Sequence, residues 1–283
     1  MDYRKAFRVK PGKQLKLSKI DPAYTGKLES EAAAKEDTEP YLKKLTRQQA
    51  LLYAENKHSI LVVLQAMDAG GKDGTIKHVF GPVNPQGVRV ARYNKPTAVE
   101  SAHDFLWRVH PHAPALGEIA IFNRSHYEDV LVTRVHELID KATWTERYQH
   151  IRDFEALLAG KHTTILKFFL HISKNEQLER FAQRLDDPAR NWKISEADYT
   201  ERSFWDAYVE AYEDAIAATS TAEAPWYVIP SNHKWFRNLA VSQILADTMA
   251  DLSLKFPPPP ANLAGIRRKF HLAVEQAKGG KKA

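Results

Sequence analysis

Residues 60–75, ILVVLQAMDAGGKDGT, decide the fold. The run from Ile60 is unbroken, apolar and rich in β-branched side chains, as a strand buried on both faces of a parallel sheet requires. The chain then turns through Asp68-Ala69-Gly70-Gly71 and continues from Lys72 as a helix that should end near Gly81-Pro82. Strand, glycine turn, lysine and helix is the order of a phosphate-holding loop. Backbone N–H groups must wrap closely round the anion, the new helix turns its positive end there, and Lys72 adds a mobile charge.

Against the pattern G-x-x-x-x-G-K-[ST] the match is partial, with Ala66 at the first glycine and Asp73 at the Ser/Thr that usually holds magnesium. A glycine turn of this kind can also be bare of chemistry. Asp68 argues otherwise, because a carboxylate inside a loop meant for anions repels them unless a cation sits between. A divalent ion bridging Asp68 and phosphate oxygens removes the conflict. Ala69, Gly70, Gly71, Lys72, Asp73 and Gly74 then form the phosphate cradle.

The bulk numbers fit this reading. The 283 residues are 43% hydrophobic with mixed charge, and no apolar run approaches the ~20 residues that cross a bilayer. The N-terminus leads into no signal-type segment, and without cysteine neither disulfides nor thiolate chemistry contribute. A cytoplasmic protein with no membrane partner is expected. The net charge of +6 suits an anionic partner or a generally basic surface. Basic residues do not interleave with aromatics outside the C-terminal tail, so no nucleic-acid partner is expected.

Outward from the loop, residues 1–28 read as a wrapping arm or as disorder, and residues 30–57 as helix, with Pro40 starting a second one. Further strands are expected at Val88–Tyr93, Glu118–Phe122, Thr163–Ile172 and Trp226–Ile229. Helices are expected at His103–Val109, Tyr127–Ile139, Trp144–Leu158 and His233–Leu252, with one after a Ser173/Glu176 capping box. Ser195 with Asp198 resembles a second cap, and the helix after it carries Trp205, Tyr208, Val209, Tyr212 and Ile216 on one stripe, read as core. Beyond the stiff Pro257–Pro260, Leu263, Ile266, Phe270 and Val274 mark a terminal helix, and GGKKA should be disordered. No repeat or boundary between independent domains is evident. The fold class is α/β, a doubly wound parallel sheet of about five strands.

On this topology Asp68, Lys72, Asn123 and Arg124 share the carboxyl rim of the first and third strands, where ligands sit in open α/β sheets. Arg180, Arg184, Arg190 and Lys193 would cover it, the last two in a segment broken by Pro188 that reads as a mobile basic lid. Arg180 and Arg184 fit an exposed helix face with local ion pairs equally well. A metal and cations around a moving group are what phosphoryl transfer requires. Ser125-His126 are adjacent and lie in no G-x-S-x-G turn, so a hydrolase reading is rejected. His110 and His112 are rejected as zinc ligands.

Six strings, MDAGGKDGTIKHVF, PVNPQG, HDFLWR, FNRSHYEDVLVTRV, RLDDPARNWKISEADY and IPSNHKWFRN, together resemble the polyphosphate kinase 2 family over roughly Lys27–Leu252. The resemblance implies a P-loop kinase-like three-layer α/β/α sandwich with a helical lid. It implies one domain over 1–283, with an N-terminal arm and helices 1–58, a core of 59–180 and 225–253, a lid of about 181–224, and a C-terminal helix and tail 254–283. The implied activity moves phosphoryl groups between inorganic polyphosphate and nucleotides, making ADP and ATP from AMP and ADP, with magnesium or manganese. Residue by residue, it puts Asp68 on the metal, Lys72 on the transferring phosphates, Asn123 and Arg124 on a second motif, and Arg184, Arg190 and Lys193 on the lid. Many members carry aspartate at the Asn123 position, and an asparagine is neither a full-charge metal ligand nor a proton acceptor. The FNRSHYEDV form resembles the subgroup using both AMP and ADP, and homodimers or homotetramers are implied.

Two alternatives remain at this level. One is an ATP-dependent nucleoside or nucleotide kinase on the same fold. The other is a non-catalytic polyanion or nucleotide binder.

Overall fold

The computed structural model describes residues 1–279. In chain order the regular elements are α1 (Tyr3–Phe7), α2 (Glu31–Glu55), β1 (Ser59–Gln65), α3 (Lys72–Thr75), β2 (Val88–Arg92), α4 (Ala98–Ser101) and β3 (Ile119–Asn123). They continue with α5 (Glu128–Val135), α6 (Lys141–Ala159), β4 (Thr163–His171), α7 (Lys174–Asp186), α8 (Glu196–Ser203), α9 (Trp205–Thr219), β5 (Trp226–Pro230), α10 (Lys234–Asp251) and α11 (Leu263–Gly279). The five strands form one parallel sheet in the order β2-β3-β1-β4-β5, with Val62 beside Ile121 of β3 and Leu166 of β4. Every residue of β1 is buried, which is why its sequence shows no polar alternation.

The period of two divides that strand between two cores. Ile60, Val62 and Leu64 pack with Leu45 and Leu52 of α2 and Phe236, Leu239 and Ile244 of α10. Leu61 and Val63 face the opposite layer of Leu131 from α5, Ile151 and Phe154 from α6, and Tyr212 and Ile216 from α9. The result is the expected three-layer α/β/α sandwich. Among the described residues, no helix is long and apolar enough to cross a membrane.

Two local expectations need correction. Pro40 starts no second helix: it lies inside α2, which Ser30 caps by accepting from Ala33 N and which ends on left-handed Asn56. The hydrogen bond lost to the ring is outweighed by burial of Ala34, Leu45 and Leu52 in the core shared with α10. His103–Val109 is a series of turns, because the Asp104 carboxylate takes the Leu106 N–H at 2.9 Å and offers the backbone a non-helical partner. A short α4, opened by a Thr97/Glu100 capping box, precedes it.

The arm reading holds for the N-terminus. Val9 N donates to Trp226 O at 2.8 Å, Asn232 N to Pro22 O at 3.0 Å, and Tyr3 N to the Gln243 side chain at 2.8 Å. The arm therefore follows the free edge of β5 up to its carboxyl end. At the other terminus α11 runs to Gly279, and the remainder of the GGKKA stretch lies outside the described residues.

Candidate functional site

The loop after β1 is shaped by crowding. A Cβ on Gly70 would lie 2.4 Å from Ala66 Cβ and 2.8 Å from Met67 O, and one on Gly71 would lie 1.9 Å from Arg237 Nη1. Gly71 also sits at φ +102°, so no other residue fits there without strain. Ala69, at φ +60°, is left-handed without being glycine, and its carbonyl is held by Arg180 Nη1 at 2.9 Å. Gln177 Nε2 holds the Asp68 carbonyl at 2.9 Å, so α7 fastens two successive loop carbonyls. Lys72 folds back to donate to Ala66 O at 3.1 Å. Burial, helped by the Arg124 charge, holds its ammonium below the usual lysine value.

The end of β3 supplies the opposite wall. Asn123 Nδ2 donates to Asp73 Oδ1 at 2.7 Å, and Arg124 Nη2 to Asp68 Oδ1 at 3.2 Å. Arg124 is held at φ +62°, a strained conformation of the kind found at ligand sites. Its Nη1 lies 3.7 Å from Glu128 Oε2, so one guanidinium stands between two carboxylates. Burial lifts Glu128 above the ordinary carboxylate range against the Arg124 and Lys72 charges. Burial would also lift Asp73, but the Asn123 amide bond and the Arg92, Lys193 and Lys72 charges outweigh it and hold this carboxylate low. Asn123 thus acts as a donor, a role no carboxylate could take.

Arg184, Arg190 and Lys193 border the loop, each with particular partners. Lys193 Nζ lies 3.7 Å from Asp73 Oδ2, and Arg190 Nε lies 2.9 Å from Asp187. Arg184 Nη1 donates to Lys193 O at 2.9 Å and sits 3.7 Å from Asp198, tying α7 to the segment that crosses the loop. Of the two readings of the α7 arginines, the exposed face is excluded for Arg180. It is buried, with Glu176, Ala69 O, Ser231 O and Asn232 O as partners.

Two recesses flank the loop. One is a basin lined by nine Lys/Arg side chains against three aspartates, so its field is strongly positive. Arg92, Lys234 and Arg237 belong to it and were not singled out from sequence. For Arg237 a signal was present: it occupies an otherwise apolar stripe with Ala240, Val241 and Ile244. The other recess is narrower and mixed, with Asp68, Arg124, Glu128 and Glu201 facing Trp205, Tyr208 and Tyr212. The aromatic stripe of α9 is therefore core on one side and recess wall on the other.

His126 lies within the helical layer 3.3 Å from Glu155, and the Ser125 hydroxyl accepts from Tyr127 N, so neither is poised for nucleophilic chemistry. Among the described residues, no three His, Cys, Asp or Glu side chains gather to hold a metal. A cation here would take one or two carboxylates, Asp68 first, and complete its shell with phosphate and water. That donor set fits magnesium and not zinc.

Comparison with known proteins agrees with this geometry. The model of the polyphosphate kinase 2 family matches residues 27–257. An AMP/ADP-polyphosphate phosphotransferase of Meiothermus ruber is 54% identical over 256 residues, 90% of this chain and 96% of the relative. An ADP-polyphosphate phosphotransferase of Rhodopseudomonas palustris is 44% identical, covering 96% and 97%. The crystal structure of polyphosphate kinase 2 from Arthrobacter aurescens superposes with a TM-score of 0.91 at 41% identity, covering 97% of both chains. With the family model matched over residues 27–257 and relatives alike over nine-tenths or more of both chains, the chain belongs to the polyphosphate kinase 2 family.

Proposed function

We propose that this chain transfers the terminal phosphoryl group of inorganic polyphosphate to AMP and ADP, reversibly and with a divalent cation. The observation that carries this is the pair of recesses meeting at the Asp68–Lys72 loop, one a strongly cationic basin with Tyr93 and Trp192 in its wall, the other narrower, with three aromatic rings. Polyphosphate has charge but no base, and suits the basin. A nucleotide has a flat ring to stack and suits Trp205, Tyr208 and Tyr212.

The transfer breaks the terminal P–O–P bond of the donor as a phosphate oxygen of the nucleotide bonds to the released phosphorus in line. That nucleophile is already an anion near pH 7, its second pKa being about 6, so no side chain must remove a proton. Asn123 is then no obstacle. Lys72 and Arg124 would stabilise the charge that builds on the moving group and on the shortened donor. Asp68, with Asp73 beside it, would hold magnesium, which neutralises phosphate charge when bound. Arg184, Arg190 and Lys193 would close over the donor, with residues 181–224 as a lid on a core of 59–180 and 225–253.

Purified protein incubated with long-chain polyphosphate, magnesium and either AMP or ADP should yield ADP or ATP by ion-pair chromatography. No product from either acceptor would overturn the reading. Product with ATP as the only effective donor would replace it with a nucleotide kinase.

A further inference from the structure

Helix α10 carries one charge on its inner face. Arg237 is 2% exposed, in a stripe with Ala240, Val241 and Ile244. A guanidinium this deep ordinarily faces a carboxylate. Here Nε and Nη2 donate, at 3.1 and 2.8 Å, to the neutral side-chain oxygen of Asn238. Among the described residues the charge acting on Arg237 is Arg180, a like charge; burial first, and then that repulsion, push its guanidinium down to about 9. Arg180 is itself committed to Glu176 and three backbone carbonyls. Glu176, the carboxylate beside this pair of buried guanidiniums, is therefore taken by Arg180 and leaves Arg237 without one.

The free edge of Arg237 is not aimed at packing. Its Nη1 fills the space a side chain on Gly71 would need, at the floor of the cationic basin, with Nη2 3.1 Å from the corresponding point on Gly74. Two glycines of the loop thus leave room for a fork whose outer edge meets no carboxylate among the described residues. A bidentate, planar, cationic donor set is what a tetrahedral phosphate group takes.

We infer that Arg237 is a phosphate-binding residue, anchoring a phosphate group of the donor chain beneath the Gly71 turn. This rests on the reading of the basin as the polyphosphate site. Bound phosphate supplies the counter-charge that the protein omits, so the empty protein holds Arg237 at a cost and the loaded one does not. A residue present only to support the loop behaves oppositely: its removal loosens the empty fold and leaves the anion's own contacts in place.

The test is binding without turnover. Arg237→Met and Arg237→Lys would be compared with the unaltered protein by thermal melting and by titration calorimetry with inorganic triphosphate, nucleotide being absent. Arg237→Met should melt no lower than the parent when empty, lose the triphosphate-induced rise in melting temperature, and bind triphosphate about 50-fold or more weakly. Arg237→Lys, which keeps the charge without the fork, should fall between and carries the test if the methionine variant does not fold. In turnover the KM for polyphosphate should rise while that for ADP stays. Triphosphate affinity within about threefold of the parent in the folded variants would overturn the inference alone. A parent protein that binds no inorganic polyphosphate would overturn the donor reading together with it.

Discussion

Replacing Arg180 by methionine should separate loop architecture from loop chemistry. The side chain makes four bonds, with Nε to Glu176 at 2.6 Å, Nη1 to Ala69 O at 2.9 Å, and Nη2 to Asn232 O at 3.1 Å and to Ser231 O. Methionine keeps the apolar stem and removes every donor. The Ser231 carbonyl belongs to a fully buried residue and is left unpaired at about 1–3 kcal/mol, while those of Ala69 and Asn232 can be rehydrated and lose about 0.5 kcal/mol each. Glu176 loses its partner at about 1 kcal/mol, and relief of the Arg180–Arg237 repulsion returns part of this. The net is about 3 kcal/mol, or roughly 150-fold in the folding equilibrium. With an m-value near 3 kcal/mol/M for a chain of this size, the urea midpoint should fall by about 1 M at unchanged slope. Lysine at 180 should regain about 1 kcal/mol, since it can reach one carbonyl but not three. A methionine variant with a midpoint within about 0.2 M of the parent would refute the view that this guanidinium fastens the loop.

Lys72→Ala should lower kcat/KM about 100-fold or more, as loss of one oriented charge donor costs roughly 3 kcal/mol. Because burial and Arg124 hold the Lys72 ammonium low, the parent should lose kcat/KM on the alkaline side below the ordinary lysine value of about 10.4, as the charge disappears with rising pH. A profile flat to that value would remove Lys72 from the charged role. Away from the site, Lys167 of β4 is fully buried and donates to Glu155, to Tyr127 Oη at 2.9 Å and to Thr219 O at 2.8 Å. Lys167→Met should destabilise by about 3–5 kcal/mol in urea melts, and adding Glu155→Gln should recover most of it. Burial opposes ionised Glu155, but Lys167 and His126 prevail and hold it below the ordinary carboxylate range. Its contribution is therefore present above a pH of about 4.3 and lost as pH falls through the lowered value, a dependence the Lys167→Met variant should lack.

What could be read ahead of the structure was whatever a period or a topological rule dictates. Burial of a central strand on both faces made Ile60–Leu64 legible as an unbroken apolar run. The rule that ligands sit at the carboxyl ends of parallel strands brought Asp68, Lys72, Asn123 and Arg124 to one rim, where Arg124 bonds Asp68 and Asn123 bonds Asp73. What could not be read depended on neighbours far along the chain. Pro40 is absorbed because α10, some two hundred residues later, packs along α2. Arg180 fits a surface ion pair as well as a place over the rim when read from sequence, because the carbonyls it holds belong to loops after β1 and β5. The roles of Glu128 and the α9 aromatics follow from two helices converging on one recess, which no local pattern encodes. The MDAGGKDG and IPSNHKWFRN strings were both recognised, yet that Gly71 and Arg237 share one space emerges only when the two are folded together.

The seating of the N-terminal arm has a consequence for how the polypeptide is made. Tyr3 is bonded to Gln243 and Val9 to Trp226, so the arm must wait for partners translated more than two hundred residues after it. At about 5–20 residues per second, on the order of ten seconds or more must pass between synthesis of the arm and of its berth. Meanwhile β1 waits as a bare apolar strand until both β3 and β4 have been translated. The nascent chain is therefore most vulnerable to clumping in mid-synthesis, and the arm works as a latch that closes only on a finished sheet.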